Sequence, residues 1–93
     1  MKRTVTFDFG ENRHVKLRVF SCKNEAFEIK TAKYELRRND TQEIESEGNA
    51  EIIEHIMDVV ISPKYSGFYD LKYIYSIADE ILIDIVEIFV KEN

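Results

Sequence analysis

Apolar and polar residues alternate from the start of the chain: Val5, Phe7 and Phe9 are apolar, Thr4, Thr6 and Asp8 polar. A period of two puts successive side chains on opposite faces, so the pattern predicts a half-buried β-strand. Gly10-Glu11-Asn12 supplies a turn, and Val15, Leu17 and Val19 then alternate with Lys16 and Arg18 in a second strand. After a break at Cys22-Lys23-Asn24-Glu25, Phe27 and Ile29 resume in one phase and Tyr34 and Leu36 continue in the other. That change of phase predicts a bulge or bend near Thr31-Ala32. Arg38-Asn39-Asp40 reads as a turn, followed by a polar strand around Ile44 and another break at Gly48-Asn49.

The second half carries two patterns at once. In AEIIEHIMDVVIS, residues 50–62, the polar positions Glu51, Glu54, His55 and Asp58 suit one face of a helix. Met57, Val59 and Ile61 suit a strand equally well. Ser62-Pro63-Lys64-Tyr65-Ser66-Gly67 is a loop, punctuated by Pro and Gly. Beyond it Tyr69, Leu71, Tyr73, Tyr75 and Ile77 fall on one side of a strand, Ala78-Asp79-Glu80 makes a tight connection, and ILIDIVEIFV returns. An amphipathic helix from Tyr69 to the end is the alternative, with Asp70, Ser76, Asp79, Glu80, Asp84, Glu87 and Lys91 as its polar stripe. The density of β-branched residues favours strands, and a bulge between Asp84 and Glu87 then accounts for the same polar positions. The whole reads as about seven antiparallel strands, with turn signals at residues 10, 23, 39, 48, 64 and 79, which suits an immunoglobulin-like β-sandwich. An α+β fold with a C-terminal amphipathic helix is the alternative.

Length and composition narrow the class. Residues 1–93 make a single small domain, and 44% hydrophobic residues exclude intrinsic disorder. The lone Cys22 leaves no intramolecular disulfide and fits a reducing compartment. Lys2 and Arg3 lead into TVTFDF instead of an apolar leader, and the most apolar segment, Ile81 to Val90, is too short and too charged to span a bilayer. A soluble protein with no membrane association is expected.

The net charge of −5 is unevenly placed. Residues 1–38 hold ten Lys/Arg against five Asp/Glu, a net +5; residues 39–93 hold three against thirteen, a net −10. Nucleic-acid binders show a basic total as well as a basic stripe, so no nucleic-acid partner is expected. The split fits basic strands lying beside acidic ones within the sheets. It also fits copies stacking head to tail, the acidic hairpin Asp79, Glu80, Asp84 and Glu87 against a basic patch of Arg13, Lys16 and Arg18.

Ser66-Gly67-Phe68-Tyr69-Asp70-Leu71-Lys72-Tyr73 resembles the G-x-Y-x-L-x-Y strand of immunoglobulin-like domains, in which a Tyr near the strand start anchors a corner. The resemblance places that corner at Gly67 and Tyr69. With Glu25 to Ile29, Ala32 to Arg37, Asn39-Asp40 and the closing Ile88-Phe89-Val90, residues 14–90 are similar to bacteriophage and prophage immunoglobulin-like structural domains. Among these, the stretch is similar to the N-terminal domains of siphophage baseplate upper proteins and to related neck and tail modules. Thr41 stands where the usual turn Gly would follow Asp40. The resemblance implies a non-enzymatic module of a phage or prophage particle. It would act through contacts with itself or with neighbouring virion proteins, in the bacterial cytoplasm during assembly and then in the virion. If the C-terminal helix forms instead, a small bacterial regulatory or inhibitor protein docking that helix on a protein partner is the alternative.

The residues offer little chemistry. Cys22 with His14 or His55 lacks any local signature of an activated nucleophile. Glu54, His55 and Asp58 lack the ligand number a zinc site needs, and the carboxylates Glu43, Glu45, Glu47, Asp79 and Glu80 lack calcium-loop spacing. Three scattered Gly build no phosphate cradle, Asn39-Asp40-Thr41 is an incidental sequon, and the Tyr cluster lacks the basic groove a base-stacking platform requires. No catalytic, cofactor or metal residue is expected.

Overall fold

The computed structural model describes residues 3–20 and 26–92. Among them lie eight strands and no helix: β1 (Thr4–Asp8), β2 (Arg13–Arg18), β3 (Ile29–Arg38), β4 (Ile44–Asn49), β5 (Glu51–Ile53), β6 (Ile56–Ile61), β7 (Gly67–Ile77) and β8 (Glu80–Lys91). They form a five-stranded sheet in the order β1-β8-β7-β3-β4 and a three-stranded sheet in the order β2-β6-β5. This is a two-sheet β-sandwich. Its last two strands and β3 form the central ladder of one sheet, while β2, β5 and β6 build the other.

The period-two pattern decides what is buried. Phe7, Val15, Leu17, Leu36, Met57, Val59, Ile61, Tyr69, Leu71, Tyr73, Val86, Ile88 and Val90 close the core between the sheets. Tyr34, Val5, Ile52 and Leu82 pack around it. Burying such aliphatic and aromatic side chains contributes about 1.5–3 kcal/mol each, which is what two thin sheets have to offset chain entropy.

Residues 67–91 settle the helix question. β7 and β8 pair without interruption from Gly67↔Val90 to Ile77↔Glu80. The C-terminal helix therefore does not form. The bulge expected between Asp84 and Glu87 is absent too, because Asp84 points inward to accept the Tyr75 hydroxyl at 2.6 Å while Glu87 faces outward toward Thr4. A polar residue in core phase thus imitated a register shift.

Residues 50–61 likewise form strands, β5 and β6, joined by the two-residue loop Glu54-His55 with Glu54 at φ 55°. Gly48-Asn49 lies inside β4, and the break comes at Ala50, whose N–H still reaches Ala32 O at 3.0 Å as the chain leaves one sheet for the other. The register of β3 against β7 shifts between Ile29 and Thr31, next to the expected bend. Pairing is not antiparallel throughout, since β1 runs parallel to β8. The break at residues 22–25 lies outside the described residues.

Candidate interaction surface

Gly67, at φ 113°, opens β7 in a backbone conformation that L-residues avoid. Two residues on, the Tyr69 hydroxyl accepts the Tyr65 N–H at 3.2 Å and donates to Glu45 Oε1 at 2.6 Å. A buried Tyr bonding back to backbone just upstream is the arrangement of a tyrosine corner. Arg38 lies over the Tyr65 ring at 4.7 Å and holds the loop from above. Burial, and then the bond to Glu45, pushes the Tyr69 phenol up to about 12. This corner fixes where β7, and through it β8, emerges from the sandwich.

Strand edges carry unpaired backbone groups, and proteins protect them with charges, caps or short length. The edge of β1 is capped. Arg13 Nη1 donates to Thr6 O at 3.0 Å, the Glu11 carboxylate accepts the Asp8 N–H, and the Glu11 N–H returns to Asp8 O. That Asp8 N–H, helped by the charge of Arg13, holds the Glu11 carboxyl below its usual range. On β4 the edge bears Glu45 and Glu47, β2 bears His14, Lys16 and Arg18, and β5 has three residues only.

β8 is different. β1 pairs only with Glu87–Lys91, so Glu80–Val86 has no partner on that side among the described residues. The Glu87 N–H donates to Arg3 O at 2.8 Å, and by strand alternation the N–H and C=O groups of Ile81, Ile83 and Ile85 face the same, open side. Their side chains lie on the outer sheet face and are 74%, 54% and 55% exposed. Three β-branched side chains in a row thus lie exposed along an edge that has no strand partner among the described residues.

Arg13, Lys16 and Arg18 sit on β2, whereas Asp79, Glu80, Asp84 and Glu87 lie on the β7–β8 hairpin. They belong to different sheets, and three of the seven are engaged within the molecule. Arg13 binds Thr6 O and Glu11 and stacks 4.6 Å over the Phe7 ring; Asp84 holds Tyr75, and Glu87 accepts from Thr4. The charged groups of Lys16, Arg18, Asp79 and Glu80 have no ion-pair or hydrogen-bond partner among the described residues. In sequence the acids of this hairpin stand out, but the exposed face belongs to the isoleucines between them, in a phase visible in ILIDI.

The remaining candidates are dispersed. His14 Nδ1 lies 3.0 Å from both Asp58 oxygens, while His55 stacks on Phe27 at 4.0 Å and its Nε2 lies 3.0 Å from Phe27 O. His55 and Asp58 therefore share no face. No group of three or more potential metal ligands occurs among the described residues. Cys22 lies outside them. Tyr73 is a core residue, its hydroxyl donating to Val15 O at 2.9 Å. No helix among the described residues is long and apolar enough to cross a membrane. In comparison with known proteins, the chain matches no protein-family model, no curated protein and no solved structure.

Proposed function

We propose that the chain is a non-enzymatic assembly module that acts through protein–protein contacts made by the β7–β8 hairpin. One observation carries the reading: among the described residues the open half of β8 presents unpaired backbone groups beside three exposed isoleucines, while the edge of β1 in the same sheet is capped. An extended strand of a partner would satisfy the backbone groups and cover the apolar stripe together. Assignment to a phage or prophage particle, assembled in the bacterial cytoplasm and carried into the virion, rests on the resemblance of residues 14–90 and on the sandwich fold with which it agrees. The test is site-specific photo-crosslinking in the cells that encode the protein. A photoreactive residue at Ile81 should give discrete adducts with a particle protein or with the chain itself. Adducts no more abundant than those from exposed Val60, on the other sheet, would refute the assignment.

A further inference from the structure

Resting on that reading, we infer that the strand received by β8 is β8 of a second copy, joined antiparallel about a two-fold axis at Leu82. The argument is one of fit. Among the described residues Arg3, whose carbonyl closes the paired part of β8, stands opposite Val86, which leaves Glu80–Ile85 to an incoming strand. A copy of β8 placed with its Ala78-Asp79 turn at that limit sets Ile81 opposite the partner's Ile83, and Ile83 opposite the partner's Ile81. In that register the open N–H and C=O groups of both residues exchange about four hydrogen bonds.

The outer faces then merge. Ile81 and Ile83 of one copy lie beside those of the other, with Ile85 extending the stripe at each end, so that one continuous apolar surface shields itself. An isologous contact needs a patch complementary to itself, and an alternating Ile-x-Ile-x-Ile edge strand is one. The charges agree: Asp79 at the tip of each hairpin comes beside Arg3 of the other copy. The single like-charge opposition, Glu80 against Asp84, has the Tyr75 hydroxyl bound to Asp84, and the Arg3 charge reaches that hydroxyl.

Sedimentation velocity of the full chain across a concentration series tests this. The expected species is a dimer of twice 11.0 kDa that persists at high salt, because backbone bonds and apolar contact dominate it. Ile83→Pro removes an N–H that faces only the open edge, a position where Pro is tolerated, and should give a folded monomer with an unchanged far-UV spectrum. In a Cys22→Ser background, Leu82→Cys should form a disulfide-linked dimer on mild oxidation. The two Cα atoms would be about 4.5 Å apart across a non-hydrogen-bonded pair, within disulfide reach. A monomer at every concentration, or a dimer that Ile83→Pro leaves intact and Leu82→Cys does not cross-link, overturns the two-fold pairing. A hetero-adduct at Ile81 from a monomeric chain would still uphold the assembly reading, so the two fail separately.

Discussion

Replacing Tyr69 by Phe deletes one oxygen and leaves the core packing of a side chain that is 1% exposed. That oxygen makes two bonds, accepting from the Tyr65 N–H at 3.2 Å and donating to Glu45 at 2.6 Å. A hydrogen bond to a charged partner contributes about 1.5–3 kcal/mol and a neutral one about 0.5–1.5 kcal/mol. Tyr65 is exposed, so its N–H turns to water once the hydroxyl is gone and the neutral bond counts for little. Glu45 retains the Lys64 N–H at 3.3 Å and is not left bare. The expected loss is therefore about 2 kcal/mol. In a domain of this size it lowers the thermal midpoint by about 8–16 °C. Urea titration followed by far-UV circular dichroism measures it. Glu45→Gln keeps an acceptor but removes the charge, and in a double-mutant cycle the pair should couple by at least about 1 kcal/mol. By contrast Tyr73→Phe, which breaks a bond to the neutral Val15 carbonyl, should lose only about 1 kcal/mol. A loss below about 0.5 kcal/mol at Tyr69, or additivity with Glu45→Gln, would refute the corner as a stabilising device.

Three further outcomes follow from the same geometry. Burial raises the phenols of Tyr69, Tyr73 and Tyr75 above 10.0, with Glu45, Asp58 and Asp84 respectively adding to the shift. Between about pH 10 and pH 12 the folded chain keeps protons that the unfolded chain has released. Stability is thus complete below pH 10 and falls as pH rises, by at most about 1.4 kcal/mol per unit for each phenol; urea midpoints that stay level or climb over that range would contradict it. Ala78 begins the β7–β8 loop at φ 54°, a conformation that disfavours an L-residue by about 1–2 kcal/mol, so Ala78→Gly should stabilise by about 0.5 kcal/mol after its entropic penalty, read as a raised urea midpoint. Gly67→Ala meets no atom within 4 Å, so its expected loss of at least about 1 kcal/mol comes from the φ of 113° alone and should leave the urea slope unchanged.

The sandwich was legible because its inward residues keep strict alternation wherever the opposite face is polar. β2, with Val15 and Leu17 between His14, Lys16 and Arg18, could be phased from the chain alone, whereas β6, with Ile56 and Val60 apolar on its other face, reads equally as a helix. Elements failed where a residue departed from its face for a local reason. Asp84 sits in core phase because the Tyr75 hydroxyl awaits it, and periodicity cannot register a partner nine positions away. Gly48 sits within β4, against the Tyr34 ring, so a Gly that reads as punctuation is a place where an aromatic ring comes close. Glu54 turns the chain at positive φ without Gly or Asn, so the β5–β6 loop does not announce itself, whereas Asp79 marks the β7–β8 turn although Ala78 also has a positive φ. The parallel pairing of β1 on β8 joins segments at opposite ends of the chain and has no local signature.

The helix–strand ambiguity of the last segment and its proposed role share one cause. A half-buried strand alternates, but β8 is apolar in both phases: Leu82, Val86, Ile88 and Val90 belong to the core, and Ile81, Ile83, Ile85 and Phe89 to the outer face. Two apolar faces blur the period of two, and the acids then suggest a helical stripe. A strand at a sheet edge gains nothing for its own fold by exposing isoleucine, and β4, at the far edge of the same sheet, carries glutamates instead. Both departures from the rule, the apolar outer face and the uncapped edge, fall on the same residues. A second strand laid there would restore to β8 the two-sided burial that its composition already has.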